Sequence, residues 1–202
     1  MLKVHSYVIE HDVGFAPNPF SGVCSLANCK PNIRKYANKG DIILGFGSAK
    51  HGYGGLLVYW MKISDIITFD KYYSDAAYNR KKPLMNGSLM QVYGDNIYHT
   101  GSDFQIIQDF SFHSNEDGTT SLENKDRDVG RTSNVLLGNE FTYFGRRAVP
   151  LPDELTSFVK RGIGHKSDFP ADLIFSLNSW LGEPQGVVGK PIDWPPIEGR
   201  GL

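Results

Sequence analysis

Glycine and proline interrupt this chain so often that long helices cannot dominate its architecture. The 202 residues include 22 glycines and 11 prolines, and both residue types mark turns and the ends of regular elements. Several of the short segments between them alternate apolar and polar residues, a pattern typical of strands. The sequence therefore predicts an α+β fold with a bent sheet or pseudo-barrel, short helices and a helical extension towards the C-terminus.

Local signals place several of these elements. Residues 3–10 alternate as a strand does, and Pro31 suits the first position of a helix, where its missing N–H costs nothing. Another helix is expected within residues 170–181, which begin with proline and carry apolar residues on one helical face. Residues 114–132 are polar and almost without large apolar side chains, which predicts an exposed, mobile loop.

Composition limits the possible function classes. The formal net charge is −1 and 21% of the residues are charged, which excludes a protein that coats nucleic acid with a uniformly basic surface. The length suits one domain over residues 1–202, with a core in 1–110 and completing strands, helices and a surface-wrapping tail in 133–202. We see no signal peptide and no apolar run of membrane-spanning length, which predicts a cytoplasmic protein without a membrane partner.

The order of elements and several longer motifs invite comparison with known families. The first half reads as a strand, a loop, a short basic helix, a Gly-Asp pair before the next strand, a glycine turn and a long strand, and it resembles the PUA-like superfamily, especially its EVE-type members. The stretches GFAPNPFSGVCSLANCKPNIRKYANKGDIILGFGS, LLVYWMKISDIITFDKYY, YGDNIYH and FTYFGRRAV resemble the second type of nucleotide modification associated domain. The resemblance implies a PUA/EVE-like core with a nucleobase pocket, and a role in DNA base modification or phage defence.

Two cysteines, Cys24 and Cys29, lie five positions apart before the first predicted helix. A structural zinc site usually needs four ligands in two close pairs, and redox pairs more often follow a C-x-x-C pattern. We therefore expect reduced thiols, at least one of them packed in the core, and neither a metal nor a cofactor. A catalytic thiol at Cys29 stays open as an alternative, because Lys30 and the following helix start both favour a thiolate.

Asn18 lies between two prolines, which restrict the backbone and fix the direction of its amide. An amide offers the donor and the acceptor that recognition of a base edge requires, although the same side chain can instead close a turn with its own backbone. Aromatic rings can stack on a base, and polar side chains beside the glycine turn can contact one. The candidate nucleobase contacts are Phe15, Asn18, Phe20, Ser48, His51 and Tyr98.

Charged residues supply two further sets of candidates. Basic residues on and beyond the first predicted helix could contact phosphate, although a solvated helix face is the more common role of such a run. Asp95 and His99 lie close together in the sequence and could act as an acid and a base, or belong to a turn. The candidate phosphate contacts are Lys30, Arg34, Lys35 and Arg146.

Three functions stay open at this level. The chain could recognise a modified nucleobase in DNA or in a nucleotide, with the base stacked on aromatic side chains. It could instead be an enzyme acting on such a base, a glycosylase or a base-modifying transferase, with Asp95, His99 or Cys29 as catalytic residues. It could also be an accessory protein that binds a partner and no ligand. The pattern does not specify an oligomeric state.

Overall fold

The described part of the chain, residues 2–195 of a computed structural model, is built around one mixed sheet of six strands. Within these residues the strands in chain order are β1 (Val4–Ile9), β2 (Cys24–Leu26), β3 (Ile42–Gly47), β4 (Leu57–Lys62), β5 (Asp65–Thr68), β6 (Tyr98–Thr100), β7 (Ile106–Gln108), β8 (Asn134–Gly138), β9 (Glu140–Tyr143), β10 (His165–Lys166) and β11 (Gly186–Val187). The main sheet has the order β10-β1-β3-β4-β9-β11. A three-stranded sheet, β2-β8-β5, and the hairpin β6-β7 lie outside it.

The helices are short, as the spacing of glycine and proline predicts. They are α1 (Pro31–Tyr36), α2 (Phe69–Ser74), α3 (Leu89–Val92), α4 (Leu122–Val129) and α5 (Ala171–Leu181), with 3-10 turns at Ala49–His51, Ala76–Lys81, Gly145–Arg147 and Asp153–Phe158. Pro31 opens α1 and Pro170 directly precedes α5, which confirms both predicted helix starts. None of the described helices has the length and apolar content needed to cross a bilayer.

Both faces of the main sheet are covered, which explains why its inner strands are apolar on both sides. Side chains alternate between the faces of a strand. Ile43 therefore packs towards β2 and β8, whereas Ile42 and Leu44 pack towards α5 and the Asp153–Phe158 turn. A third apolar cluster joins the far side of the three-stranded sheet to α2 and β6. The result is a layered core in which β2 and the loop after it are held beside the main sheet.

The predicted α+β class is confirmed, with short helices and several sheets. The strands of residues 2–195 form three separate sheets and do not close into a barrel. The C-terminal helical extension is α5, and the segment after it returns to the main sheet through β11, which runs parallel to β9. The last part of the predicted surface wrap, residues 196–202, lies outside the described residues.

The polar segment at residues 114–132 is the main correction to the predicted fold. It contains α4, whose first turn is capped by the hydroxyl of Ser121, which accepts the N–H of Asn124 at 3.4 Å. Asp128 on this helix is completely buried. The prediction of an exposed, mobile loop is wrong here because hydrogen bonds of a buried carboxylate, not apolar area, attach the helix to the rest of the protein.

Candidate functional site

The loop between β2 and α1 presents Cys29 in an unusual backbone conformation. Cys29 has a φ of 58° and Lys30 a φ of 42°, so two consecutive residues other than glycine adopt the left-handed region. Hydrogen bonds hold both sides of this turn: the Cys29 N–H donates to Asp128 Oδ1 at 2.8 Å, and Arg34 Nε donates to the Cys29 carbonyl at 2.8 Å. Strained backbone of this kind is found at functional sites, where surrounding contacts fix it.

Cys29 is one end of a linear array of three side chains. Its Sγ lies 3.7 Å from Nε2 of His113, and Nδ1 of the same imidazole lies 2.6 Å from Oδ2 of Asp128. His113 and Asp128 are buried, whereas Cys29 is partly exposed. A thiol, an imidazole and a carboxylate in this order form the arrangement that activates a cysteine nucleophile in enzymes of unrelated folds.

The charges in the array are coupled. Burial by itself lowers the pKa of His113, but hydrogen bonds to Asp128 and Cys29 and the negative charge of those groups outweigh burial and raise it to about 9. Burial by itself raises the pKa of Asp128. The hydrogen bond and charge of His113, together with the charge of Arg127, outweigh burial and hold that pKa below its ordinary value. A pKa of about 9 keeps His113 protonated at neutral pH, beside the ionised carboxylate of Asp128.

Asp128 is oriented by every polar group around it. Besides His113 and the Cys29 N–H, it accepts the hydroxyl of Tyr98 at 3.1 Å and Nε of Arg127 at 3.3 Å. Tyr98 in turn accepts Nε2 of Gln108 at 2.9 Å. Both carboxylate oxygens are thus engaged, and His113 is held in one orientation by the oxygen it faces.

The same three residues could in principle ligate a metal ion, since one ligand atom from each lies within 4.8 Å of the others. Three observations favour proton transfer instead. The imidazole bonds Cys29 and Asp128 through its two opposite nitrogens, both carboxylate oxygens already accept hydrogen bonds, and Nη2 of Arg127 lies 3.2 Å from His113 Nε2. A fixed guanidinium charge beside the ligand atoms opposes a cation.

Cys29 opens into a cavity of about 410 Å³, a volume within the range of small-molecule sites. Aromatic rings form much of the wall, and Phe15 contacts the imidazole of His113 with ring centroids 4.5 Å apart. The rest of the wall combines aliphatic residues with charged or ionisable ones, among which Glu10 is acidic. The lining residues that matter below are Tyr7, His11, Phe15, Cys29, Lys30, Phe112, His113, Arg127 and His165.

Lys30 is the cation most enclosed by the cavity wall. Its ammonium lies 4.9 Å from the ring centroid of Tyr7, and burial lowers the pKa of Lys30. Among the described residues no carboxylate lies within salt-bridge distance of it. Glu10 lines the same cavity but forms no ion pair with Lys30, so the ammonium can meet an anionic group of a ligand.

Of the candidates that the sequence predicted, Phe15, Cys29 and Lys30 line this cavity. Tyr98 lies directly behind it, as the hydroxyl donor to Asp128. The other candidates are distributed over different parts of the molecule.

Asn18 and Asp95 belong to a buried polar network outside the cavity. Both are 1% exposed. Lys81 is equally buried, and its ammonium donates to Asn18 Oδ1 at 3.0 Å and to Ser25 Oγ at 2.9 Å. Ser25 Oγ and the Tyr72 hydroxyl bond the two Asp95 oxygens at 2.6 and 2.8 Å. The amide of Asn18 is therefore used within the fold, as the turn alternative allowed.

The predicted pairing of Asp95 with His99 is not formed. His99 lies on β6, stacked on Tyr73 with ring centroids 3.9 Å apart, and the carboxylate beside it belongs to Asp109 at 3.9 Å. Asp95 is buried, and its two carboxylate oxygens accept hydrogen bonds from Ser25 and Tyr72. Asp95 and His99 are close in sequence, but their side chains lie in different surroundings.

The remaining candidates also lie away from the thiol. Arg34 is completely buried and donates to backbone carbonyls of Cys29, Asn134 and Asp128, so phosphate cannot reach it. Phe20 stacks on Trp194, Ser48 caps a 3-10 turn, and Arg146 donates to the carbonyls of Ile192 and Trp194. Lys35 is exposed over the ring of Tyr36, and His51 lies beside Asp193.

Sequence reasoning missed His113, Arg127 and Asp128. His113 precedes and the other two lie within the segment that was predicted to be a mobile loop. One signal could have found the helix: Ser121 is a typical N-cap residue, and Leu122 and Val129 are seven residues apart, the spacing of one helical face. No local signal joins that helix to Cys29.

Fold and site together define an α+β protein in which a partly exposed thiol, an imidazole and a buried carboxylate are aligned at a cavity of aromatic and cationic residues. The chain belongs to the family Nucleotide modification associated domain 2, whose model matches residues 1–197. This membership places the protein in the setting of nucleotide modification. No curated protein and no solved structure matches the chain.

Proposed function

We propose that this protein is a cysteine-dependent enzyme of nucleotide modification that moves an acyl group to or from a nucleotide. The observation that carries the proposal is the array of Cys29, His113 and Asp128, with separations of 3.7 and 2.6 Å. Nucleophile, base and orienting group stand in the order that acyl transfer requires.

The chemistry assigns one role to each group. Sγ of Cys29 bonds to the carbonyl carbon of the substrate, and the carbonyl electrons move to its oxygen. When this intermediate collapses, the leaving amine or hydroxyl takes the proton from His113 Nε2 and a thioester remains on Cys29. Water or an acceptor amine then attacks the thioester carbonyl and gives its proton to His113. The C–S bond breaks, the carboxylic acid or amide is released, and Sγ departs with the bonding electrons beside the protonated His113, which restores the starting state. Asp128 keeps the imidazole aligned throughout.

The charges around Cys29 suit a sulfur nucleophile. A protonated His113 and the guanidinium of Arg127 place two positive charges beside the single carboxylate of Asp128. Positive charge close to Sγ favours attack by sulfur on a carbonyl carbon. Because the Cys29 N–H already donates to Asp128, the developing oxyanion is stabilised by the cationic side chains that line the cavity, Lys30 and Arg127.

Family membership and the cavity wall both support a nucleotide substrate. Rings of Tyr7, Phe15 and Phe112 offer surfaces for a base, and Lys30 offers a positive charge for a phosphate. We place this chemistry on a modified base, in cytoplasmic DNA modification or phage defence, as the resemblance of the sequence implies.

The test uses nucleotides acylated on the base amino group, beginning with N⁴-acetyl-dCMP. The protein is mixed with each compound, quenched in acid and analysed by intact mass, while chromatography follows release of the deacylated nucleotide. We expect an acyl adduct on Cys29 or release of dCMP by the wild-type chain, and neither by Cys29→Ala. Cys24→Ala is the matched control, because Cys24 is fully buried outside the cavity lining. Turnover that survives in Cys29→Ala contradicts the proposal.

A second candidate function is recognition of a modified base without turnover. The observation that favours it is Phe112, which is 42% exposed although it lines the cavity, and so offers a free ring for stacking. Tight binding of modified nucleotides or oligonucleotides with no adduct and no product supports this candidate over the enzyme. The third possibility, a ligand-free accessory protein, is disfavoured by an open cavity of about 410 Å³.

A further inference from the structure

Three ligand-type side chains outside the thiol array lie close together beside one rim of the cavity, where His11 is part of the lining. They are His11, in the loop after β1, His51, in the turn after β3, and Asp193, near the end of the described chain. One ligand atom from each lies within 4.8 Å of the others. Residues from three distant parts of the sequence meet here, so local sequence effects do not explain the cluster.

The carboxylate of this cluster is held in place by the backbone. Oδ2 of Asp193 accepts the N–H of Asp12 at 2.8 Å, which leaves Oδ1 facing His51. Asp12 is anchored in turn, because its carboxylate accepts the Tyr143 hydroxyl and the N–H of Ile192. Orientation of a carboxylate by a partner behind it is a feature of ligands in metal sites.

The distance between His51 and Asp193 fits a shared ion better than a direct hydrogen bond. Nδ1 of His51 and Oδ1 of Asp193 are 3.4 Å apart, which is long for a charge-assisted hydrogen bond. Zinc bonds nitrogen and oxygen at about 2.0–2.2 Å, so two ligands of a tetrahedral ion are separated by roughly 3.4 Å. His11 is exposed and free to complete the set by a change of side-chain rotamer.

We propose that His11, His51 and Asp193 bind a divalent first-row transition ion. Two imidazoles and one carboxylate are the donors that zinc, iron(II) and related ions prefer, and three protein ligands leave at least one coordination position open. His11 also lines the cavity of Cys29. An open position at that rim can accept an anionic oxygen of the substrate, a role that rests on the proposed nucleotide function, whereas ion binding itself does not.

The test is isothermal titration of the full chain with Zn²⁺ in a chelator-free buffer. We expect one ion per wild-type chain. His11→Ala, His51→Ala and Asp193→Ala should each weaken binding by at least the roughly 10–100-fold that loss of an outer partner costs a metal site. Asp109→Ala is the matched control, since it removes a carboxylate that lies beside a single histidine, His99. Thermal melting of each variant establishes that it is folded, and the exposed His11 makes His11→Ala the variant least able to disturb the fold.

Zinc could also be captured by the thiol array, so Cys29→Ser is titrated in parallel. Retention of the site in Cys29→Ser, with loss in the three rim variants, supports the proposal. Absence of zinc binding by the wild-type chain overturns it. Binding that is lost in Cys29→Ser and kept in His51→Ala also overturns it, because the ion would then lie at Cys29. These outcomes concern binding alone and are independent of whether the protein transfers an acyl group.

Discussion

Replacing Asp128 by asparagine should destabilise the protein in a way that depends on pH. The carboxylate is completely buried and bonds Nδ1 of His113 at 2.6 Å. The pKa of His113 is raised from 6.5 to about 9, which at about 1.4 kcal/mol per pH unit corresponds to roughly 3 kcal/mol of stability. Asp128 and Cys29 share this contribution, so we expect Asp128→Asn to remove on the order of 2–3 kcal/mol of it.

The sign of the pH dependence follows from the direction of the pKa change. Because the folded protein holds its proton on His113 more tightly than the unfolded chain, the contribution is complete below the unfolded pKa of 6.5 and is lost as the pH rises through about 9. The pKa of Asp128 is lowered by folding, so its own contribution is lost only in acid. The wild-type advantage should therefore be largest near about pH 6 and smallest near about pH 10.

A second cost of the same substitution does not depend on pH. The asparagine amide turns an N–H₂ group towards a site where Cys29, Tyr98 and Arg127 all donate, and an unsatisfied buried donor costs about 1–3 kcal/mol. Urea unfolding of both proteins at several pH values separates the two costs. The background variant His113→Gln is the control, since in it the effect of Asp128→Asn should be flat with pH. A difference that is flat in the presence of His113 as well would refute the charged pair.

Four further predictions test other parts of the molecule. Lys81→Met should cost about 3–5 kcal/mol in urea unfolding, because it leaves Asp95 as an uncompensated buried charge, whereas Lys82→Met, at the neighbouring and partly exposed position, should cost less. Asn18→Ala should also destabilise, by about 1–3 kcal/mol, because Lys81 loses an acceptor, and unchanged stability would return Asn18 to the list of possible ligand contacts. Gly94→Ala should lower the melting temperature, because the new Cβ would lie 2.5 Å from the carbonyl oxygen of Lys81. Gly22→Ala is the comparison: Gly22 has a φ of 88° and open space around it, so that substitution introduces backbone strain without a clash. Deletion of residues 122–129 should abolish the folded state seen by circular dichroism, and a stable deletion variant would show that α4 is dispensable.

The elements that the sequence predicts well are those with local signals. Pro31 and Pro170 set helix starts because proline fits only the first turn. The alternation of residues 3–10 predicts a strand, and β1 spans Val4–Ile9. In each case the decisive interaction lies within a few residues.

The candidate site depends on contacts that sequence patterns do not encode. Cys29 and His113 are 84 positions apart, and nothing in the local sequence of the helix that supplies Asp128 indicates that it contacts Cys29. Lys81 is a further case: it lies in a run of basic residues, but carbonyl oxygens of Asn18 and Val23, in the loop before β2, enclose its ammonium. The partners that bury these polar residues lie far away in the sequence. Composition alone does not reveal such partners, so it assigns the polar residues to the surface.

The central claim is that His113 activates Cys29, and the rate of thiol alkylation measures this most directly. The wild-type chain and His113→Gln are treated with iodoacetamide at neutral pH, and intact mass with peptide mapping follows Cys29 and Cys24 separately. The imidazolium at 3.7 Å stabilises negative charge on Sγ, so we predict that Cys29 reacts at least about 10-fold faster in the wild-type chain. The buried Cys24 should stay unmodified in both proteins, since burial raises its pKa to about 12. Equal rates for Cys29 in the two proteins would contradict the account.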